Sequence, residues 1–228
     1  MTQKKYLAII PARKGSKGLP NKNILPFLGV PLFLNTYNIL KSSKYEIDIY
    51  VSTDSKEIIS ICNKEKINFI KRPCEISTDI STTEDAIIHL LNSLKLANYD
   101  HLILAQCTSP LLNSSEVDSI LNSFESKIDI IDSLFTCYED HIPLWTREDN
   151  KLQRVNLSEK VRQPRQKSKP LFVENGAFYV FKINKFKVFK NRFCGTTENY
   201  IMSKTNSIDI DTLEDFRLAE LIKSSNIS

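Results

Sequence analysis

The residues best suited to chemistry lie close together near the start of the chain. The segment from Pro11 to Asn23, called the first loop, holds two of the five glycines and four basic residues: Arg13, Lys14, Lys17 and Lys22. Glycine lets backbone N–H groups approach phosphate oxygens, and the basic side chains supply the opposite charge. Gly15 and Gly18 lie too close together for a P-loop, and the segment is not G-x-G-x-x-G. The first loop therefore predicts phosphate binding, with a solvated basic turn as the alternative.

A second chemical group is a pair of carboxylates near the other end of the chain. Asp209 and Asp211 lie two residues apart in Ser207-Ile-Asp-Ile-Asp211, a predicted strand, so both side chains point to one face. This spacing suits one or two Mg²⁺ ions. The alternative for Asp211 is helix capping, because a helix capped by Thr212, with Asp215 three residues on, is predicted to follow.

Three further polar groups have both a functional and a structural interpretation. Gln106 ends a predicted strand, and Thr83 ends the polar run Thr78-Asp-x-Ser-Thr-Thr83. A structural hydrogen bond and a helix cap are their respective alternatives. Arg165, in Gln163-Pro-Arg-Gln166, presents a planar fork that matches a carboxylate, although it could lie in an exposed basic loop.

The predicted elements place several of these groups at one edge of a sheet. Apolar runs predict strands over 6–10, 47–52, 67–71 and 102–106. Helical patterns occupy 32–41, 55–66, 84–97 and 116–126, the last with a capping box of Ser115 and Asp118. This rhythm predicts an α/β, Rossmann-like, mostly parallel sheet with helices on both faces. Ligands of such sheets bind at the carboxyl ends of the strands, where the first loop begins.

The pattern changes after about residue 128. A strand is predicted over 129–137, a polar segment over 138–170 and another strand over 176–183. We interpret 1–228 as a single domain with a small inserted lobe at about 138–170. The net charge of +4 is too mild to indicate nucleic-acid binding. No apolar stretch approaches the roughly 20 residues of a membrane span, so we expect a cytoplasmic protein.

Four motifs carry a resemblance to a known family. Ile9-Ile-Pro-Ala-Arg-x-Gly-Ser-Lys-Gly-Leu-Pro-x-Lys-Asn23 closely resembles the N-terminal signature of the CMP-sialic acid synthetases, the N-acylneuraminate cytidylyltransferases. CMP-Kdo synthetases share only part of it. Three further motifs also match the family. They are Leu104-Ala-Gln-Cys-Thr-Ser-Pro-Leu111, the run Arg165-Gln followed by Asn175-Gly-x-x-Tyr179, and the ending Asp209-x-Asp-x-x-x-Asp215. The resemblance runs from Tyr6 to about Glu220.

The resemblance implies a nucleotide-diphospho-sugar transferase fold and a role for each matching residue. CTP would be bound by Arg13, Ser16, Lys17, Gly18, Asn23 and, near the cytosine and ribose, Thr83. A sugar acid would be bound by Gln106, Arg165, Asn175, Tyr179 and Phe193. Mg²⁺ would bind Asp209 and Asp211, and the catalytic residues would be Asp211, Arg13 and Lys17.

The implied reaction transfers CMP from CTP to the anomeric hydroxyl of a nonulosonic acid, with N-acetylneuraminate first and legionaminic or pseudaminic acid as alternatives. A non-catalytic nucleotide-binding protein of the same fold is a further alternative. A homodimer, with the lobe reaching towards the neighbouring subunit, is implied as well. The sequence departs from the family at Trp145, because members often have a lysine there.

Overall fold

A computed structural model describes residues 5–15, 18–155 and 170–225. Its strands are β1 (Tyr6–Pro11), β2 (Pro26–Phe27), β3 (Val30–Pro31), β4 (Ile47–Thr53), β5 (Phe69–Lys71), β6 (His101–Ala105), β7 (Ser133–Asp140), β8 (Trp145–Glu148), β9 (Lys151–Arg154), β10 (Leu171–Lys182) and β11 (Thr197–Ile201). Its α-helices are α1 (Leu32–Lys41), α2 (Lys56–Glu65), α3 (Thr83–Ser93), α4 (Ser114–Ser126), α5 (Ile183–Phe189) and α6 (Leu213–Ser225). None of the helices in these ranges is both long and apolar enough to cross a membrane.

Seven of the strands form one central sheet in the order β11-β7-β10-β6-β1-β4-β5. The pairs β1–β4, β1–β6, β4–β5 and β7–β11 are parallel, whereas β10 runs antiparallel to both β6 and β7. The predicted mostly parallel α/β sheet is therefore confirmed. The single antiparallel strand lies inside the sheet, between β6 and β7.

Helices cover both faces of the sheet because the central strands are apolar on both sides. Tyr6, Ala8 and Ile10 of β1 pack in one core with residues of α1, α2, α4 and α6. Leu7 and Ile9 pack on the opposite face with residues of α3 and α5. Successive side chains of a strand point to opposite faces, so a strand buried on both faces reads as a continuous apolar run.

The N-terminal cap of α4 differs from the sequence-based prediction. α4 begins at Ser114, and its N-cap is Asn113, whose side chain accepts a hydrogen bond from the Glu116 N–H at 2.9 Å. Asp118 instead accepts from the Ser43 hydroxyl at 2.6 Å. The predicted capping box of Ser115 and Asp118 is therefore wrong, because Asp118 is used in a tertiary contact.

Several other elements also differ from the sequence-based prediction. β7 begins at Ser133 rather than 129, and β10 begins at Leu171 rather than 176 because its pairing with β7 continues to Leu171 opposite Asp140. β11 and α5 were not predicted. The segment 208–211, predicted to be part of a strand, belongs to no strand, whereas the predicted capping of α6 is confirmed by reciprocal hydrogen bonds between Thr212 and Asp215.

Part of the predicted inserted lobe is a separate antiparallel hairpin of β8 and β9. Trp145, Leu152 and Val155 of this hairpin are more than half exposed, at 54%, 60% and 60%. Residues 156–169, which include Arg165, lie outside the described residues. The role of the lobe in dimerisation stays a prediction.

Candidate active site

The first loop leaves β1 at its carboxyl end and is held by hydrogen bonds to its own backbone. The Asn23 side-chain amide donates to the Arg13 carbonyl at 3.0 Å, and the Lys14 N–H donates to the Asp54 carboxylate at 2.7 Å. The Arg13 guanidinium itself donates to the Thr78 carbonyl at 2.9 Å and to Asp79 at 3.0 Å. These contacts bring Arg13 over the loop that precedes α3.

Ser16 and Lys17 lie outside the described residues, so their predicted contacts with phosphate stay predictions. The neighbouring residue Gly18 is described and has a clear steric role. A Cβ atom at this position would overlap the backbone carbonyl of Asp211. Glycine therefore lets the first loop lie directly against residues 207–212, called the acidic segment.

Lys22 makes the second connection between the first loop and the acidic segment. Its ammonium group donates to the Ile210 carbonyl and forms an ion pair with the Asp211 carboxylate at 3.1 Å. The Lys22 side chain is 11% exposed and the Asp211 side chain 75% exposed. Two segments that are 189 residues apart in sequence thus meet through opposite charges.

The acidic segment is anchored between its two carboxylates. Ile210 is fully buried, and its N–H donates to the Thr108 carbonyl at 2.8 Å. Asp209 and Asp211, on either side of it, are exposed. The alternation of exposed and buried side chains that was predicted for a strand is therefore kept over 209–211, in a segment that belongs to no strand and packs against the loop after β6.

The environment of Asp209 disfavours its charged form. Although Asp209 as a residue is exposed, its carboxyl group lies against neighbouring atoms, and this desolvation raises the pKa of Asp209; the nearby charges of Asp211 and Asp215 add to the effect. A hydrogen bond with the Thr108 side chain and the charge of Lys22 act in the opposite direction. A cation bound beside these carboxylates would relieve their repulsion.

The donor set fits a cation that shares its ligands with a substrate. Within the described parts of the chain, no group of three or more His, Cys, Asp and Glu side chains could hold a metal by itself. Mg²⁺ is usually bound by about one or two carboxylates together with water and substrate phosphates. Asp209 and Asp211 supply two carboxylates of that kind.

A cavity of about 310 Å³, called the first-loop cleft, opens where these segments meet. Six of the predicted site residues line it: Arg13, Gly18, Asn23, Thr83, Gln106 and Asp211. They come from the first loop, the start of α3, the end of β6 and the acidic segment. The cleft thus lies at the carboxyl ends of parallel strands, where ligands of such sheets bind.

Asn175 is buried within the fold rather than at the surface of the cleft. The residue is 4% exposed, its side-chain oxygen accepts from the Thr136 hydroxyl at 2.7 Å, and its amide donates to the Ser207 hydroxyl at 2.9 Å. A Cβ atom added at the next residue, Gly176, would lie 4.0 Å from the Asp209 carboxylate, so β10 passes close to the acidic segment here. In this structure Asn175 connects β10 to the acidic segment, and its contact with a sugar stays a prediction.

Tyr179 and Phe193 lie together but do not line the first-loop cleft. Their rings are 5.9 Å apart in an edge-to-face arrangement, and the Tyr179 hydroxyl donates to Glu174. Tyr179 is 2% exposed, whereas Phe193 is 38% exposed. The structure brings these two predicted sugar contacts together, and the third, Arg165, is not described.

Arg72 is a cleft residue that the sequence-based prediction did not select. It is 5% exposed, lines the first-loop cleft, and donates to the Ser52 hydroxyl and carbonyl, both at 3.2 Å. Desolvation lowers the pKa of Arg72, and repulsion by Arg13 acts in the same direction against attraction by Asp54. The signal in the sequence was its position directly after β5, at the carboxyl end of a parallel strand.

The fold and the cleft define an α/β protein of the nucleotide-diphospho-sugar transferase type. Comparison with solved structures supports this fold. CMP:2-keto-3-deoxy-manno-octonic acid synthetase complexed with CTP superposes with a TM-score of 0.72 at 14% identity, covering 97% of this chain and 99% of that chain. The 4-diphosphocytidyl-2C-methyl-D-erythritol synthase of Anaerococcus prevotii DSM 20548 gives 0.67 at 16% identity, covering 97% and 96%.

The chain belongs to the cytidylyltransferase family, whose model matches residues 7–224. It is 34% identical to the N-acylneuraminate cytidylyltransferase of Streptococcus agalactiae serotype III (strain NEM316), over 93% of this chain and 52% of that protein. It is 29% identical to the pseudaminic acid cytidylyltransferase of Campylobacter jejuni subsp. jejuni serotype O:23/36 (strain 81-176), over 97% of both. The chain thus spans about half the length of the first relative. The family generally uses a divalent metal.

Proposed function

We propose that this chain transfers CMP from CTP to the anomeric hydroxyl of a nonulosonic acid, with N-acetylneuraminate as the first candidate, and releases pyrophosphate. The observation that carries the proposal is the contact of Gly18 and Lys22 with Asp211 at the rim of the first-loop cleft. Phosphoryl chemistry needs cationic groups and an acidic metal site at one place. The names of the relatives support the choice of CTP and of the sugar-acid class.

The nucleotide is proposed to lie across the strand ends with its phosphates on the first loop. Arg13, Lys22 and the backbone at Gly18 supply donors and charge, together with Ser16 and Lys17. Asn23 holds the loop backbone at Arg13. Thr83, at the start of α3, also lines the cleft and is proposed to face the cytosine and ribose.

Asp209 and Asp211 are proposed to hold Mg²⁺ in the complex with CTP. The ion, when bound, would supply positive charge that neutralises the phosphate oxygens. To make these contacts, the Asp211 carboxylate must exchange its ion pair with Lys22, which then has its ammonium group available for phosphate. Asp211 is also the proposed acceptor of the proton from the sugar hydroxyl.

The reaction is proposed to proceed by direct displacement. The anomeric oxygen forms a bond to the α-phosphorus as the bond to the bridging oxygen of pyrophosphate breaks, and the hydroxyl proton leaves to Asp211 or through water. Arg13 and Lys17 stabilise the charge on the leaving pyrophosphate. The sugar acid is proposed to contact Gln106, Arg165, Asn175, Tyr179 and Phe193, with the Arg165 fork on its carboxylate.

The proposal is tested by following pyrophosphate in a mixture of the protein, CTP, Mg²⁺ and N-acetylneuraminate. Release is expected, and Asp209→Ala should reduce turnover by roughly a hundredfold or more, because one carboxylate of the proposed metal site is lost. Asp129→Ala, which removes an exposed carboxylate far from the cleft, is the matched control. Turnover by Asp209→Ala at the level of this control would show that the metal assignment is wrong.

Pseudaminic acid is the second candidate acceptor. It is favoured by the relative from Campylobacter, which this chain matches over 97% of both lengths. Comparing kcat/KM for N-acetylneuraminate, legionaminic acid and pseudaminic acid decides between them. CTP binding without pyrophosphate release from any of the three would indicate a non-catalytic nucleotide-binding protein.

The proposed assembly is a homodimer formed through the β8–β9 hairpin. The exposed side chains of Trp145 and Leu152, which lie on one face of this two-stranded sheet outside the main core, support an interface there. Arg165, which follows this hairpin in sequence, would then reach the cleft of the neighbouring subunit.

A further inference from the structure

A network of contacts beside the first-loop cleft links two proposed sugar contacts, Tyr179 and Phe193, to three residues to which no role has been given above: Glu84, Glu174 and Arg192. Arg192 forms a two-pronged pair with Glu84: Nε lies 2.7 Å from Oε1, and Nη2 lies 3.0 Å from Oε2. The Arg192 guanidinium carbon is 5.0 Å from the centre of the Tyr179 ring, and the Tyr179 hydroxyl donates to Glu174. These four residues together with Phe193 are called the Arg192 cluster.

The Arg192 cluster connects the elements that form two sides of the site. Glu84 is the second residue of α3 and directly follows Thr82 and Thr83, which line the cleft. Tyr179 belongs to β10, at the irregularity in its pairing with β7 between residues 174 and 179. Arg192 comes from the segment after α5, so one side chain holds three separate elements together.

The Glu84–Arg192 pair is shielded, unlike an ordinary surface ion pair. The two side chains are 20% and 16% exposed. Desolvation raises the pKa of Glu84, but the hydrogen bonds and charge of Arg192 outweigh it, so the pKa lies below its usual value and the carboxylate stays charged. A two-pronged arginine pair fixes orientation as well as distance, so the position of the guanidinium over Tyr179 is well defined.

Phe193 follows Arg192 in sequence and packs against Tyr179, the ring that the Arg192 guanidinium covers. Its ring packs edge-to-face on Phe135 at 5.4 Å and on Tyr179 at 5.9 Å, yet the residue is 38% exposed. An aromatic ring that is supported by neighbouring rings and still open to solvent is suited to contact with the apolar parts of a ligand. Glu174, which is also exposed, adds a carboxylate to the same surface.

We propose that Arg192 is a positioning residue for the acceptor: its pair with Glu84 fixes Tyr179 and Phe193 relative to Thr83, and so sets the affinity and selectivity for the sugar acid. The inference rests on the proposed function. The pair should have little effect on CTP, because the start of α3, which carries Thr83, is also held by the capping box of Thr82 and Asp85. The groups proposed to bind the phosphates lie elsewhere, on the first loop and in the acidic segment.

The test measures the two substrates separately. Arg192→Met keeps an unbranched side chain about as long as the aliphatic part of arginine but removes the two-pronged pair, and Glu84→Gln removes the charge of the partner. For both, the KM of N-acetylneuraminate is expected to rise about tenfold, while the Kd of CTP measured by calorimetry changes less than about twofold. Arg192→Lys should lie between wild type and Arg192→Met, since it restores charge but not the fork.

Two further comparisons separate positioning from a general loss of structure. The double variant of Arg192→Met and Glu84→Gln should be no worse than Arg192→Met, because both changes remove one interaction. The ratio of kcat/KM for N-acetylneuraminate and pseudaminic acid should also change. Lys127→Met, which breaks the Lys127–Glu198 pair of 3.1 Å, is the control and should leave both substrates unaffected.

The outcomes are distinct. If the wild type turns over but the variants leave the acceptor KM and the selectivity ratio unchanged, or raise the constants for CTP and acceptor equally, the role of Arg192 is overturned and the proposed function stands. If Arg192→Met does not fold, Arg192→Lys and Glu84→Gln decide. A wild type that binds CTP but releases no pyrophosphate with any acceptor overturns the proposed function and this inference with it.

Discussion

Gly18 shows how a single residue can determine whether two distant parts of a site meet. The first loop lies so close to the acidic segment that only a residue without a Cβ leaves room for the Asp211 carbonyl. Gly15, three residues earlier, lines the same cleft, but a Cβ there meets no heavy atom of the described chain within 4 Å. The two glycines of the first loop therefore have different physical roles.

We predict that Gly18→Ala reduces kcat/KM for CTP by roughly tenfold or more, because the backbone of the loop or of Asp211 must move to accept the methyl group. Gly15→Ala is the matched control and should lose much less. Pyrophosphate release at varied CTP concentration measures both. Equal losses in the two variants would contradict the assignment of the close contact to Gly18.

At the scale of elements, capping decides where α4 begins. Asn113 accepts a hydrogen bond from the Glu116 N–H, and the Ser115 hydroxyl donates to the Asn113 side chain at 2.6 Å. A side chain that satisfies a free N–H at the first turn stabilises the helix. Asn113 satisfies a backbone group of α4, whereas Ser115 only supports Asn113.

Asn113→Ala should therefore lower the free energy of unfolding by about 1 kcal/mol, and Ser115→Ala by clearly less. Urea unfolding followed by circular dichroism measures both variants. A larger loss for Ser115→Ala would restore the cap that the sequence pattern alone indicates.

At the scale of the whole molecule, Asp132, which directly precedes β7, joins the end of β10, the helix α5 and the segment before β11. Its carboxylate accepts from the Lys182 ammonium at 3.0 Å and from the Thr196 N–H at 3.1 Å, and it pairs with Lys185 at 3.2 Å. Desolvation raises the pKa of Asp132, but these donors outweigh it and lower the pKa below its usual range. The charged form thus contributes to stability.

We predict that Asp132→Asn lowers the free energy of unfolding by roughly 1–3 kcal/mol at neutral pH, since hydrogen bonds to a charged group are lost or weakened. A carboxyl whose pKa is depressed by folding stabilises above its unfolded pKa of about 3.9, and this contribution is lost as the pH falls through the folded pKa. The difference from wild type should therefore shrink below about pH 4. Urea unfolding across this pH range measures it, and a difference independent of pH contradicts the assignment.

The proposed dimer interface at the β8–β9 hairpin is a second feature of the whole molecule that can be tested. If the β8–β9 hairpin forms the proposed dimer interface, Trp145→Asp should convert the protein to a monomer, because a charge would be buried against an apolar surface. Val188→Asp changes a residue that is 76% exposed outside the hairpin and is the control. Light scattering should give twice the chain mass for wild type and the control, and an unchanged mass for Trp145→Asp would place the interface elsewhere.

The amino-acid sequence by itself determined the elements whose signals are local. α1 was predicted with its observed bounds, and β1, β4 and β6 within one residue at each end, because strands buried on both faces are continuous apolar runs and helices repeat every 3.6 residues. The composition of the first loop likewise indicated phosphate binding, since the requirement for glycine and positive charge is a property of neighbouring residues.

Only the tertiary structure decided the features that depend on distant partners. β11 exists because it pairs with β7, and β10 begins earlier than predicted because its pairing with β7 continues to Leu171. Asp118 accepts a hydrogen bond from Ser43 instead of capping α4. The meeting of Gly18 and Lys22 with Asp211, and the pairing of Glu84 with Arg192, follow from the order of strands in the sheet. Residue types and local spacing carry no information on that order, because it is set by which apolar faces pack together in three dimensions.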